Sequence, residues 1–597
     1  MPQASHLAAP SATATGSGLT DTERAAVDAA LDGLRRGART WRHLTLSQRA
    51  RLFDRLHDTI AAGAEEWADA ASRAKGLDPG HPSRGEEWLS GPYAALVATA
   101  AYARTLRTLA RGASPVDDVA LTAAPGGRIR AHVFPGDLSD RLVLSGYTGE
   151  VWFTPGTTAA DARRRAGLAQ RDPQAPGGVG LVLGAGNITS IPVQDVFTEL
   201  LAHNRVVLLK LNPLQDALLP ILRQVLAPLI TGGYLRIVRG GGAVGAHLTA
   251  HSGIDHVHIT GAAETFDAIV WGPPSGATTR RRREGRPKLK VPISAELGGV
   301  SPIIVVPGRW SAADLRFQAE HIATMRLHNA GHNCIAGQVV ILSADWPQRN
   351  AFLKELRRAL AAAPARPVWY PSGATSVAAA AASFPHALRV GGERLLVELR
   401  PDDDATPMEQ TEYFAPVLGV QTLAGDGQEF LDRAVAYAND RLAGSLGANL
   451  LIDPETERAL GSGFEEAVAA LRHGAIAINT WTGFVFLTPT LTWNAFPGGT
   501  LADIGSGTGV VHNALLLDDV ERSIGRAPFR PFPRSLSALI PGRAGIFSVL
   551  PKPPWFVGAR TGASVSAGFT RFRARGGLRS IRAVGGLVPT FLRALCA

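Results

Sequence analysis

The sequence predicts an α/β protein built on a parallel sheet with helices on both faces. Three observations predict it. Between residues 178 and 260, short apolar runs alternate with helical patterns: GVGLVLGAG, VVLLKLNP, YLRIVRGGG and DHVHITG are separated by VQDVFTELLAH, ALLPILRQVLAPLI and GAHLTAHSG. That order, at that spacing, is the signature of parallel strands joined by crossover helices. GVGLVLGAG is apolar throughout and VVLLKLNP nearly so, as strands buried on both faces are. Two of the four runs lead directly into glycines, which punctuate strand ends.

Taken in order, the chain opens on MPQASHLAAPSATATGSG, which has no basic start followed by an apolar core. It reads as a disordered leader over residues 1–20 rather than a signal peptide. Thr20-Asp-Thr-Glu23 has the form of a capping box, and helical patterns continue to about residue 111. Between residues 115 and 155, RIRAHVFPG and EVWFTPG read as strands broken by Gly and Pro. The alternating region follows, then the basic stretch TTRRRREGRPKLK (278–290), expected to be a solvated surface loop. A strand at PIIVVP, a helix through DLRFQAEHIATMRLHNA and a strand at GQVVILS begin a second α/β unit near residue 296. A chain of this length exceeds one core. The expected division is a leader (1–20), a first domain (21–295) with a strand insertion at about 124–155, a second domain (296–515) and a C-terminal extension (516–597).

Charge is unevenly placed. The total is +10, yet thirteen Arg and Lys and no acid follow Glu521, so the first 521 residues carry −3. The high isoelectric point therefore describes the tail and not the body. The only cysteines, Cys334 and Cys596, lie too far apart to suggest a disulfide framework, and the plain expectation is a cytoplasmic protein. No run of about 18 apolar residues marks a membrane span.

Cys334 stands in NAGHNC, on a loop between a helix and a strand. A lone cysteine can be a nucleophile, a metal ligand or a buried bystander, and taken alone the bystander is the common case. No second thiol stands at ligand spacing, so no metal is expected. ELGGVSP lies upstream, with Glu296 at a strand end 38 residues before the cysteine. In GAGNITSIP, Asn187 ends an apolar strand, where its amide can serve as an anion-stabilising donor.

These motifs together resemble the aldehyde dehydrogenase superfamily. LLKLNP, RIVRGGGAVGAHLTAHSGIDHVHITG, ELGGVSP, NAGHNC, EYFAPV, AYAND, HGAIAIN and AFPGG follow the family's order at roughly its spacing, over about residues 21–515. The resemblance implies an aldehyde dehydrogenase-like fold. Its parts are a Rossmann-type parallel-sheet cofactor domain, an α/β catalytic domain and a strand oligomerisation arm. It implies NAD or NADP as cofactor and an aldehyde as substrate. Cys334 would be the nucleophile, its polar setting keeping it reachable and ionisable; Asn187 and the Cys334 backbone N–H would hold the oxyanion, and Glu296 would be the general base. Lys210, Gly242, Gly245, Thr260, Gly261, Glu412 and Phe414 fall at cofactor-binding positions. The arm implies a homodimer or tetramer.

The departures are Ala262 for a serine, Pro213 for a glutamate, and His332 for a glutamine. The expectation for His332 is a side chain pointing to water, the alternative being one that perturbs Cys334. Pro213 leaves NADP permitted, because no carboxylate stands there to repel a 2′-phosphate. A CoA-acylating enzyme on the same fold is one alternative, which Glu296 argues against; an inactive scaffold is another. The basic tail is expected to wrap along the body as a solvated segment. Contact with an anionic membrane is its functional alternative, ahead of nucleic acid.

Overall fold

A computed structural model describes residues 19–596. The leader expected at 1–20 therefore lies, up to residue 18, outside the described residues. The capping box forms as written: Glu23 N–H donates to Thr20 Oγ1 at 3.2 Å, and Thr20 N–H donates to the Glu23 carboxylate at 2.8 Å. It starts the helix Asp21–Arg42, and the helices Leu46–Ala74 and Ala94–Ala110 follow.

Two sheets organise the rest. The smaller has six strands, in the order Gly507–Thr508, Ile293–Glu296, His256–Thr260, Val179–Leu183, Val206–Lys210, Leu235–Val238. All are parallel except Gly507–Thr508, which pairs antiparallel with Ile293–Glu296. The N-terminal helices pack on this sheet through a core including Trp41, Phe53, Trp67 and Phe197. The four runs read as strands are four adjacent strands of this sheet, from His256–Thr260 to the edge strand Leu235–Val238.

The larger sheet has eleven strands. Its parallel centre includes Ser301–Val305, Gly337–Ser343, Val417–Leu423, Gly447–Leu451 and Ala475–Ile478. The expected strand arm is present as Leu121–Ala124, Arg128–Phe134 and Thr148–Phe153. It joins this sheet within the same chain: Thr148–Phe153 pairs with Val520–Arg526, which in turn pairs parallel with Ala475–Ile478.

That linking strand, residues 520–526, lies inside the larger sheet although it falls past the division expected at 515/516. VERSIGR is not an apolar run, so it carries no strand signal of its own. Two of its polar side chains find partners in place: Glu521 accepts from Arg128, and buried Arg522 donates through one nitrogen to the carbonyls of Val468 and Leu471.

Two expectations are corrected. TTRRRREGRPKLK is not wholly a loop: Ser275 caps a helix over Gly276–Arg283, accepting from Thr278 N–H, and Arg282 pairs with Asp267. Nor is the extension a solvated segment. Phe529, Leu550, Trp555, Phe556, Phe569 and Phe572 are buried in the largest core. Its inner cations are neutralised by the body: Arg530 and Arg534 by Asp314, Lys552 by Glu320, and Arg573 by Asp140.

Burial of this kind has a measurable consequence. Phe569→Ala should lower stability by about 3–5 kcal/mol in urea unfolding, as for an aromatic residue of the body. A solvated tail would show almost no change.

Candidate active site

Parallel strands bring their C-terminal ends to one edge of a sheet, and loops there build sites. Three adjacent strands of the smaller sheet do so here. Asn187 follows Val179–Leu183, Thr260 ends His256–Thr260, and Glu296 ends Ile293–Glu296, with Thr260 and Glu296 in register. Cys334 enters from the other side, on the loop between the helix Ala312–Leu327 and the strand Gly337–Ser343. All four line one cavity, walled by Ile188, Ile191, Trp481, Phe486, Trp493 and Trp555. None of the described residues lining it is Lys or Arg. Trp555 comes from the C-terminal extension.

The loop carrying Cys334 is held under strain. Asn329, Ala330 and Gly331 all have positive φ, at 54°, 56° and 81°. For a non-glycine residue this costs about 1–2 kcal/mol. Buried contacts from distant segments hold the turn. Asn329 N–H donates to Glu86 at 2.8 Å, and its Oδ1 accepts from Lys75, Trp369 and Arg366. Asn329 Nδ2 donates to the carbonyls of Asn187 and His332. Arg326, fully buried, donates to the carbonyls of Gly331, Ala336 and Ala415 and so ties the Cys334 loop to the Glu412–Phe414 segment.

His332 departs from its expectation and does not reach water. It is fully buried, with Nδ1 2.7 Å from the Phe414 carbonyl and Nε2 accepting from Tyr370 N–H. Burial, the largest cause, lowers its pKa to about 3, so it is neutral, and these two partners require the Nδ1–H tautomer. It braces Phe414, which itself has a positive φ of 47°.

The electrostatics separate the carboxylates. Both Glu296 oxygens are buried without a hydrogen-bond partner; burial, and then the Asp195 charge, push its pKa well above the ordinary value. Asp195 behaves in the opposite way. Burial opposes its charge, but His258 and His512 outweigh it and hold the pKa at about 2. His258 and His512 lie 3.7 and 3.6 Å from Asp195 Oδ1, and the Thr260 hydroxyl donates to Oδ2 at 3.1 Å. Burial likewise opposes charge on His258, yet Asp195 raises its pKa overall. Asp195, His258 and His512 were not singled out in the sequence. Asp195 sits within a helix that reads as core, His258 lies in the strand DHVHITG where it reads as a strand residue, and His512 stands far along the chain.

Cys334 also differs from its expectation. It is only partly exposed, and burial followed by the Glu412 and Glu296 charges pushes its thiol pKa up. The polar residues of NAGHNC face the network behind the loop, and the cavity side is apolar. Asn187 Nδ2 donates to the His332 carbonyl at 2.9 Å, which orients its amide beside Cys334 and leaves the second N–H of that group for another acceptor.

Of the residues expected at a dinucleotide, Lys210, Gly242, Gly245, Thr260 and Gly261 lie at the C-terminal ends of the smaller sheet's strands, while Glu412 and Phe414 come from the segment before Val417–Leu423 of the larger sheet. Lys210 ends Val206–Lys210; burial lowers its pKa, with Asp216 acting against this. Gly242 and Gly245 have open space where a Cβ would stand. Gly261 is exposed, and its N–H donates to the Glu296 carbonyl. Thr260 turns its hydroxyl to Asp195. Glu412 keeps one buried oxygen unpartnered; burial raises its pKa to about 8, against Arg326 and the Gly299 N–H. Gly298 is required there, because a Cβ would fall 1.9 Å from Glu412 Oε2. The orphaned buried Glu412 oxygen is an acceptor that fits a ribose hydroxyl of NAD(P), and the open space at Gly242 and Gly245 leaves room for backbone approach.

The turn predicts its own sensitivity. Asn329→Ala strands the groups that Asn329 satisfies, at about 1–3 kcal/mol for each. Thermal unfolding should move down by several degrees, while Asn329→Asp, which keeps the Oδ1 acceptor, should lose less.

Residues 155–371 match the aldehyde dehydrogenase family. N-succinylglutamate 5-semialdehyde dehydrogenase of Hahella chejuensis is 30% identical over 129 residues, which is 22% of this chain and 23% of that protein. The alignment thus spans about a quarter of the relative's length. Among solved structures, gamma-glutamyl-gamma-aminobutyraldehyde dehydrogenase from Burkholderia cenocepacia J2315 superposes with a TM-score of 0.55 at 19% identity, covering 84% of this chain and 88% of that one. Indole-3-acetaldehyde dehydrogenase in complex with NAD+ gives 0.55 at 20% identity, with 84% and 88% covered. Lactaldehyde dehydrogenase from Escherichia coli gives 0.54 at 16%, with 83% and 90% covered. Residues 155–371 thus match the aldehyde dehydrogenase family, and most of the chain shares the fold of these solved structures.

Proposed function

We propose that the protein oxidises an apolar aldehyde to a carboxylic acid with NAD or NADP, through a thioester on Cys334. One observation carries this reading: Cys334, Asn187 and a buried, unpartnered Glu296 share one apolar cavity. Lys210, Gly242, Gly245, Gly261, Glu412 and Phe414 would hold the dinucleotide, which when bound supplies a hydride acceptor.

This chain's residues supply the remaining chemistry. The Cys334 thiol loses its proton to water as the sulfur adds to the aldehyde carbon. The Asn187 amide and the Cys334 backbone N–H hold the oxygen as charge develops on it. After oxidation to the thioester, Glu296 takes a proton from water as the water attacks the thioester carbon. The C–S bond breaks, the acid leaves and the thiol is restored. A water-activating base is not needed where CoA takes the acyl group, so the buried Glu296 favours hydrolysis.

The substrate class follows from the walls. Tryptophan, phenylalanine and isoleucine line the cavity, and its carboxylates Asp195 and Glu296 meet no lysine or arginine among the lining residues. A neutral, apolar aldehyde suits it. An anionic one, such as the name of the Hahella chejuensis relative indicates, does not.

Two measurements test the reading. Purified protein with NAD or NADP and a series of aldehydes should form reduced cofactor, with rates rising with apolar chain size. Cys334→Ala should abolish turnover and retain dinucleotide binding, and Asn187→Ala should cut kcat about 100- to 1,000-fold. Failure to bind either dinucleotide, or full turnover in Cys334→Ala, would overturn the mechanism.

The pH profile tests Glu296. A base must be deprotonated, so deacylation should rise with pH through the raised Glu296 pKa. Asp195→Asn removes a negative charge that opposes Glu296 ionisation, and should move that limb to lower pH. An unmoved limb would mean that Glu296 is not the base.

A further inference from the structure

The last helix, Ile581–Ala594, turns a continuous apolar stripe to solvent. Ile581, Val584, Val588, Leu592 and Leu595 recur at the spacing of one helix face, and Ile581 is 92% exposed, with Val588 and Leu592 at 60% each. The opposite face is occupied: Ala583, Leu587, Thr590 and Ala594 are buried against the body. The outer stripe therefore is not core turned outward by misplacement. It is a second apolar face on a helix that is already anchored.

The stripe continues across a short helix, Leu138–Val143. At one end, Leu578 N–H donates to Ser139 Oγ, placing exposed Leu578 beside exposed Leu138. Just past the other end, Ser548 and Val549 bond to Ser145. They bring up a further exposed apolar run that includes Leu539, Ile546 and Phe547.

Charge decides what fits this face. The inner cations of the extension are paired with acids of the body, as described above. The outer ones are not: Arg543, Arg575, Arg582 and Arg593 have no carboxylate partner among the described residues, and no acid follows Glu521. An apolar stripe flanked by unpaired arginines matches an anionic lipid surface, with side chains entering the acyl boundary and guanidinium groups at the headgroups. A second copy of the same helix would set arginine against arginine. No helix among the described residues is long and apolar enough to cross a membrane.

We propose that Ile581–Ala594, with the apolar surface beside Leu138–Val143, docks the protein peripherally on an anionic lipid bilayer. The same extension supplies Trp555 to the cavity, so the docking helix and the cavity wall belong to one segment. The docking itself does not rest on the proposed activity.

The test is co-sedimentation of the full chain with vesicles of phosphatidylcholine alone or with phosphatidylglycerol, together with light scattering in solution. Wild type should sediment with the anionic vesicles, weaken steeply with salt, and leave neutral vesicles largely unbound. Val588→Asp and Leu592→Asp, at exposed positions that should leave circular dichroism and melting unchanged, should each reduce partitioning at least about tenfold. Arg582→Ala and Arg593→Ala should each cost about fivefold. Three results would overturn the proposal: no sedimentation of wild type with anionic vesicles, sedimentation indifferent to all four substitutions, or a dimer that dissociates in Val588→Asp without any vesicle binding.

Discussion

The position of Cys334 depends on one buried polar knot. Asn329 sits in a left-handed turn that its own chain does not favour, five residues before the cysteine. What holds it there arrives from far away in the sequence: Lys75 and Glu86 from the N-terminal helices, and Arg366 and Trp369 from beyond the strand Gly337–Ser343. Lys75 and Arg366 face Glu86 and Glu87, so the buried charges balance two against two. Burying such groups is costly, and leaving one unpaired is more so, about 3–5 kcal/mol. The knot is thus a specific lock, and it joins the N-terminal helices to the loop on which Cys334 stands. Arg326 extends the same constraint to Glu412 and Phe414.

A second consequence is electrostatic. Glu296 and Asp195 share one apolar cavity, and their surroundings drive them apart. Asp195 has two imidazoles and a hydroxyl and stays ionised; Glu296 has no partner and is pushed toward the neutral acid. Two carboxylates set apart in this way can take separate roles. On the proposed reading, Glu296 is a base whose pKa burial has raised, and Asp195 is a fixed charge that tunes it. The thiol is restrained by the same field, since burial and two nearby carboxylates oppose the thiolate.

How much of this was legible follows from how local each signal is. The parallel strands were, because GVGLVLGAG or VVLLKLNP carries its own periodicity and its own terminator. The residues gathered at the cavity, Asn187, Glu296 and Cys334, were also legible, since each stands in a short motif at a strand end or loop. The knot was not: Lys75, Glu86 and Arg366 are unremarkable surface-type residues until the fold brings them to Asn329. Nor was His332, whose neighbours Tyr370 and Phe414 lie far along the chain. Val520–Arg526 escaped because two of its polar side chains find their partners in Arg128 and in distant carbonyls, and the extension escaped because its arginines looked solvated while its aromatics were being buried.

These parts converge on one chemical claim, that Cys334 carries the acyl group and Glu296 clears it. The direct measurement is peptide-resolved mass spectrometry of Glu296→Gln after mixing with NAD(P)+ and an aldehyde it turns over slowly. The account predicts a mass increase equal to the acyl group on the peptide containing Cys334, accumulating within the first turnover and absent from the peptide containing Cys596. A variant that releases acid at the wild-type rate with no adduct on Cys334 would contradict it.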